Sequence, residues 1–335
     1  MRITKDLLHQ FASDTVKQRR RSEPDIHAAY LMGSLLSEAP LLGGTTDIDL
    51  VLVHKYYAPT ERETASLTPE ISMDILHKTL ADFDEPRQFR QNALIGYPLT
   101  YNHILLYDTD HWLEFLQSCV TAGFHRADNV LVRVNGMLAS ARELWRGLYM
   151  LPEDNPLVWL DQFLRSLALS ADALAGLIGP PLTTRRFMTT LHQRMEELGT
   201  PDAWDGFCGL LGCIEAFDHK YKPWIDAFEN DLVYLADTVS PPPHLASCRQ
   251  AYFVHGIRAL AQNEGHHDAA WPLLRTWLDV QMSLPGESPG FETWLDLVQT
   301  LNLTEAVREG KTRALDVYLD RIEILIEAWS DAYGY

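Results

Sequence analysis

Two aspartates separated by one residue, Asp47 and Asp49, lie in the otherwise apolar run DIDLVLV. Because side chains alternate between the faces of a β-strand, both carboxylates share one face and Ile48 points to the other. Their backbones are roughly 6–7 Å apart, so both carboxylates can reach one divalent cation. Two like charges this close are costly without a cation. The pair therefore predicts a site for a hard metal ion such as Mg²⁺.

A third aspartate, Asp74, lies in a second apolar segment, EISMDILHK. If this strand pairs beside the first, Asp74 completes a cluster able to hold two ions about 3.5–4 Å apart, as in two-metal phosphoryl-transfer sites. The alternative places Asp74 on an exposed edge strand, beside Ser72 and paired with Lys78.

The predicted strand HAAYLMG ends at Gly33, and Ser34 follows it. We expect Ser34 to cap a helix whose free N–H groups point toward an anion. A glycine at this place lets a phosphate approach the backbone, and the Ser34 hydroxyl can donate a hydrogen bond to that phosphate. The stretch 31–53 is thus predicted to hold a triphosphate at one end and its metal ions at the other.

The Gly-Ser pair, the DID triplet and the separate MDI segment resemble the nucleotidyltransferase superfamily. This superfamily includes DNA polymerase β, the aminoglycoside nucleotidyltransferases and the minimal nucleotidyltransferases of toxin–antitoxin pairs. The later segment HILLYDTDHWLEFL is similar to the strand and helix that close that domain in bacterial members. The resemblance covers roughly residues 20–120.

The resemblance implies specific roles for the candidate residues. Asp47 and Asp49 would bind both of two Mg²⁺ ions, with Mn²⁺ as an alternative metal. Asp74 would bind the catalytic ion and help activate the attacking hydroxyl, while Gly33 and Ser34 would hold the nucleotide phosphates.

One departure from the family pattern concerns positive charge. The loop from Leu35 to Thr46 carries no arginine or lysine, which many relatives place there. A basic residue is then expected from elsewhere, with Lys78, Arg185 and Arg186 as candidates. Further candidates for a general base are Glu143 and Asp161, near the predicted domain junction.

Two other motifs carry less weight. The run EGHHD, Glu264–Asp268, offers metal-binding residue types without a matching ligand pair, so a solvated loop is the favoured interpretation. The segment EGKTR at Glu309 lacks the first glycine and the leading strand of a phosphate-binding loop.

The elements that must position these residues change in character along the chain. In the first third, predicted helices over 3–20 and 80–93 alternate with strand candidates, which indicates an α/β sheet domain with a mixed sheet. After about residue 125, apolar residues recur at helical spacing and Pro/Gly breaks separate the segments. The predicted class is α+β: a nucleotidyltransferase domain over 1–124, then an all-helical domain over 125–335.

Composition narrows the classes of function. The formal net charge of -18 disfavours general nucleic-acid binding. Four cysteines in a chain of this length give no disulfide framework, and no stretch is apolar enough to cross a membrane. These features predict a cytoplasmic protein without a membrane partner.

The predicted activity is transfer of a nucleoside monophosphate, AMP from ATP, to a hydroxyl of a small molecule, with release of pyrophosphate. An acidic surface would suit a cationic acceptor such as an aminoglycoside-like antibiotic. Two alternatives remain open: a regulator of toxin–antitoxin type that nucleotidylates a protein, and a non-catalytic nucleotide-binding sensor.

Overall fold

The computed structural model describes most of the chain. The described residues are 3–37, 39–101, 104–152, 155–212, 221–262 and 266–334. The chain divides into two compact units, the first formed by Met1–Asn129 with Pro243–Gly256 and the second by Val130–Pro242 with Ile257–Tyr335. The fold is α+β, with strands in the N-terminal part and helices in the remainder.

The first unit contains a five-stranded mixed sheet in the order β3-β4-β2-β1-β5. Its helices and strands are α1 (Lys5–Ser22), β1 (Ile26–Met32), β2 (Thr46–His54), β3 (Arg62–Thr68), β4 (Ile71–Thr79), α2 (Ala93–Gly96), β5 (Leu105–Asp108) and α3 (Trp112–Phe124). Strands β2 and β4 run parallel, whereas β1 is antiparallel to both β2 and β5, and β3 is antiparallel to β4.

The sheet buries a different set of side chains on each face. Helix α1 covers one face, where Leu8, Ala12 and Val16 belong to the same buried cluster as alternate apolar residues of β2 and β4. Helix α3 belongs to the cluster on the other face, together with Val51 and Val53. Because the strand repeat is two residues, Asp47 and Asp49 share this second face.

Strand β3 is not among the strands predicted from the sequence. It is an edge strand with exposed or half-buried residues, so no apolar alternation marks it. The helix predicted over 80–93 is also wrong. Short 3₁₀ turns (Leu80–Phe83 and Pro86–Gln91) precede α2 there, because Pro86 disfavours helical backbone at Glu85.

The segment Pro243–Gly256 belongs to the first unit, although the predicted boundary assigned everything after residue 124 to the helical domain. One contact that ties it there is at Gly43, in the loop between β1 and β2. A Cβ at Gly43 would lie 2.1 Å from the carbonyl oxygen of His255. This packing joins segments that are distant along the chain, so no local sequence pattern predicts it.

The second unit is helical in its described part. Its elements are α4 (Ala127–Leu148, which begins in the first unit), α5 (Pro156–Ala175), α6 (Phe187–Leu198), α7 (Pro201–Leu211), α8 (Tyr221–Thr238), α9 (Gln250–Ala261, which also begins in the first unit), α10 (Ala270–Ser283), α11 (Phe291–Thr300) and α12 (Arg308–Ala332). Trp159, Trp224, Trp277 and Trp294 are fully buried, so these tryptophans are core residues.

Two further observations concern membrane spans and cysteines. Within the described ranges, no helix combines the length and apolar character that a membrane span requires. Cys119, Cys208 and Cys248 are free thiols, while Cys213 and Glu264 lie outside the described residues.

Candidate active site

The structure brings the three predicted carboxylates together on neighbouring strands. Asp49 of β2 and Asp74 of β4 are register partners in the parallel pair, and Asp47 pairs with Ser72 in the same ladder. Asp47 and Asp74 are both buried, at 5% and 4% exposure. Strand β4 lies between β3 and β2, so Asp74 is not on an edge strand, and the alternative pairing with Lys78 is wrong.

Gly33 lies directly against this cluster, with a different consequence from the predicted one. A Cβ at Gly33 would be 1.7 Å from Oδ2 of Asp49, and the backbone φ is +69°. Both the space and the backbone angle therefore require glycine. The missing side chain gives room to the Asp49 carboxylate.

Ser34 also differs from its predicted role as a helix cap. Gly33–Leu36 is a four-residue 3₁₀ turn with no side-chain cap. The Ser34 hydroxyl lies 3.1 Å from the Thr46 hydroxyl and donates to the Asp47 carbonyl oxygen at 3.2 Å. Ser34 thus fixes the start of β2, the strand that carries two of the carboxylates.

Arg62 of β3 contacts Asp74 through two nitrogens. Its Nε donates to Oδ1 at 2.7 Å, and Nη2 donates to Oδ2. The Arg62 side chain is 47% exposed, whereas the Asp74 side chain is 4% exposed. A bidentate guanidinium–carboxylate pair holds both partners in a fixed geometry.

Arg249 connects two of the carboxylates from the other side. Its Nη2 donates to Asp47 Oδ2 at 2.8 Å, and its Nη1 donates to Asp74 Oδ2 at 3.0 Å. Its Cζ lies 5.1 Å from the centre of the Tyr252 ring and 5.7 Å from that of Phe253. The guanidinium is buried, so these charges interact with little screening by water.

Asp49 is the carboxylate that the arginines leave without a direct partner. No hydrogen bond or ion pair reaches it from the described residues. Burial raises the pKa of Asp49 well above its ordinary value, and the charges of Asp47 and Asp74 raise it further, whereas Arg249 and Arg62 lower it. When all three carboxylates are ionised, the two guanidinium groups leave one of their negative charges uncompensated.

The residues present fit one divalent cation beside Asp49. Its carboxylate is available, and no hydrogen bond from the described residues reaches Oδ1 of Asp47. Ser72 Oγ, Thr64 Oγ1 and Arg249 Nε are buried without a hydrogen-bond partner in the described chain. Ser72 and Thr64 are cross-strand neighbours of Asp47 and Asp74, so these unsatisfied polar groups surround the carboxylates. Buried polar atoms without partners point to a polar ligand at this place.

The other candidates predicted from sequence lie away from these contacts or in the second unit. Lys78 is opposite Val53 in the β2–β4 ladder. Asp161 on α5 accepts from Arg275 at 2.5 Å. Glu143 lies on α4, and Arg185 and Arg186 form a 3₁₀ turn before α6. Among the described residues, the ion-pair partners of Asp47 and Asp74 are instead Arg62 and Arg249, which sequence reasoning missed.

Comparison of the chain with models of known protein families and with curated proteins finds no match.

Proposed function

We propose that this protein transfers a nucleoside monophosphate, AMP from ATP, to a hydroxyl of a small molecule and releases pyrophosphate. The observation that carries the proposal is the pairing of Asp49 and Asp74 in one register of parallel strands, with Asp47 linked to Asp74 through a single guanidinium. Carboxylates gathered in this way are the ligands of Mg²⁺-dependent phosphoryl-transfer sites.

In the proposed reaction, the acceptor oxygen forms a bond to the α-phosphorus, and the bond from that phosphorus to the bridging oxygen breaks. Asp49 and the free oxygen of Asp47 would hold Mg²⁺, with Mn²⁺ as a substitute. When bound, the metal would offset the charge that develops on the α-phosphate and the leaving group.

The two arginines that contact the carboxylates, Arg62 and Arg249, suit the phosphates of the incoming nucleotide. A planar guanidinium matches two phosphate oxygens, so Arg62 and Arg249 supply the positive charge that the loop before β2 lacks. In the proposal, their movement from Asp74 to phosphate frees that carboxylate to accept the hydroxyl proton. Nucleotide binding would thereby prepare the general base.

The acceptor class rests on charge alone. The chain carries 46 acidic and 28 basic residues, which favours a cationic acceptor of the aminoglycoside type over nucleic acid. The pairing of Asp74 with two arginines favours the second candidate function, a nucleotide sensor in which the carboxylates stay neutralised and no transfer occurs.

The test is incubation of the full chain with each α-labelled nucleoside triphosphate, Mg²⁺ and pools of hydroxyl-bearing acceptors. We expect label transfer and pyrophosphate release by the wild type, and loss of both in Asp49→Asn. Asp14→Asn is the matched control, because Asp14 is exposed on α1 and, among the described residues, pairs only with Lys17. Nucleotide binding without pyrophosphate release by the wild type would replace this proposal with the sensor.

A further inference from the structure

A second polar cluster lies on the opposite face of the sheet from the three aspartates. His54 ends β2 and His77 lies near the end of β4, and both are buried at 1% and 2% exposure. By strand alternation they share the face covered by α1. One ligand atom from each of Glu23, His54 and His77 lies within 4.8 Å of the others.

The two imidazoles point nitrogens at each other. His54 Nε2 and His77 Nδ1 are 2.9 Å apart. The outer nitrogens face carboxylates, with His54 Nδ1 3.3 Å from Asp25 and His77 Nε2 3.4 Å from Glu63. Carboxylates only accept hydrogen bonds, so the three contacts require three N–H groups. Two neutral imidazoles supply two N–H groups, and the two outer contacts use both of them. The two facing nitrogens then have no N–H between them.

A metal ion between the two facing nitrogens would accept the lone pair of each one. Histidine ligands of metals commonly donate the second ring N–H to a carboxylate, which is the arrangement that Asp25 and Glu63 provide. Glu23 offers a third donor: its Oε1 accepts from Arg19 at 3.0 Å, whereas its buried Oε2 meets no hydrogen-bond partner among the described residues.

The charge around the cluster matches a dication. With neutral imidazoles, Glu23, Asp25, Glu63 and Arg19 together carry two negative charges, and Arg19 contacts both Glu23 and Glu63. Two imidazole nitrogens and one carboxylate oxygen suit Zn²⁺ and its neighbours in the first transition series better than Mg²⁺. Zn–N bonds of about 2.0–2.1 Å set the two nitrogens about 3.4 Å apart, so the rings need to separate by only about 0.5 Å.

We propose that Glu23, His54 and His77 form a transition-metal site, with Zn²⁺ as the ion of best chemical fit. The ligands come from the end of α1 and from two central strands, so the bound ion joins the helix to the sheet. A fourth position remains for water, because Zn²⁺ sites are commonly four-coordinate. This site is separate from the proposed nucleotide site and does not depend on it.

The test is titration of the chelator-treated, full-length protein with ZnCl₂ against a competing indicator, and with CoCl₂ followed by visible absorption. We expect one ion per chain at this site and a higher melting temperature with Zn²⁺. Glu23→Gln and His77→Gln are expected to weaken Zn²⁺ binding at least tenfold. His192→Gln, a change at a half-exposed helix residue, is expected to leave it unchanged.

The aspartate cluster is tested in parallel, since carboxylates also bind divalent ions. Asp49→Asn is expected to keep the Zn²⁺ site and its Co²⁺ spectrum. Circular dichroism establishes that each variant is folded, and Glu23→Gln provides a milder change if His77→Gln does not fold. The proposal is overturned if the wild type shows no stoichiometric binding. It is also overturned if folded Glu23→Gln and His77→Gln variants bind as the wild type does.

Discussion

The Asp49 carboxylate occupies the space that a side chain at Gly33 would need. Gly33 lies in the turn that follows β1, and Asp49 lies on the neighbouring strand β2. The contact fixes where the unpaired carboxylate of the cluster lies. It also requires a residue without a Cβ, and a backbone with positive φ, at the same position.

Gly33→Ala is therefore expected to displace Asp49 and to destabilise the protein. Gly44→Ala is a matched control, because Gly44 has φ +74° and nothing lies within 4 Å of its added Cβ. The control carries only the left-handed backbone cost of about 1–2 kcal/mol. We expect Gly33→Ala to exceed that by at least about 1 kcal/mol in urea unfolding. Equal losses in the two variants would contradict the assigned contact.

Arg249→Met tests whether the Arg249 guanidinium supplies positive charge that the carboxylate cluster otherwise takes from a divalent cation. The change leaves Asp47, Asp49 and Asp74 facing Arg62 alone, so we expect a loss of about 3–5 kcal/mol without divalent ions. Because the cluster then carries more negative charge, added Mg²⁺ is expected to restore part of the loss.

The measurement is thermal unfolding with and without Mg²⁺, in the absence of nucleotide. Arg126→Met is the control, since Arg126 is 64% exposed and its pair with Asp128 is worth at most about 1 kcal/mol. A Mg²⁺ response no larger in Arg249→Met than in the wild type would show that the carboxylates do not take up a cation there.

Strand alternation explains why the carboxylates of this site could be predicted from the sequence. A period of two places Asp47 and Asp49 on one face of β2, and the apolar neighbours of Asp74 indicate a buried strand. The arginines that pair with these carboxylates could not be predicted in the same way. Arg249 lies 175 residues from Asp74 along the chain and meets it only through tertiary packing.

Arg62 was missed for a different reason. It lies on β3, an edge strand whose polar residues carry no alternation, so neither the strand nor its register with β4 is marked in the sequence. The histidine pair was also missed, because His54 and His77 occupy the ends of apolar runs 23 residues apart. Only the parallel register of β2 and β4 brings them together.

Asp172, on α5 of the helical unit, is expected to make the stability of the protein depend on pH. Burial raises the pKa of Asp172 to about 6, against the opposing effects of the Leu182 N–H and Arg194. The folded state therefore binds a proton more tightly than the unfolded state, so this group makes stability fall as pH rises from about 4 to about 6.

Asp172→Asn keeps a side-chain oxygen for the Leu182 N–H, which donates to Asp172 at 2.9 Å, and removes the titration. We expect a gain of about 2–3 kcal/mol at pH 7 and a flatter profile between about pH 4 and 6. Urea unfolding across that range measures it, with the exposed Asp205→Asn as control. A variant profile parallel to that of the wild type would contradict the assignment.

Asp231 on α8 is the most completely satisfied buried carboxylate in the described part of the helical unit. Its Oδ1 accepts from the Gly290 N–H at 2.8 Å. Its Oδ2 accepts from Trp277 at 2.7 Å, Gln281 at 2.8 Å and Ser288 at 2.6 Å. These bonds join α8, α10 and the segment before α11.

Asp231→Asn turns one acceptor oxygen into an N–H₂ group that faces donors. The change is nearly isosteric, so it isolates the loss of hydrogen bonds from the loss of packing. We expect a cost of about 2–4 kcal/mol in urea unfolding, because buried donors lose their partner. Asp226→Asn on the same helix is exposed and is expected to change stability by at most about 1 kcal/mol. A loss as small as the control's would mean that these donors find other acceptors, and that Asp231 does not hold the three elements together.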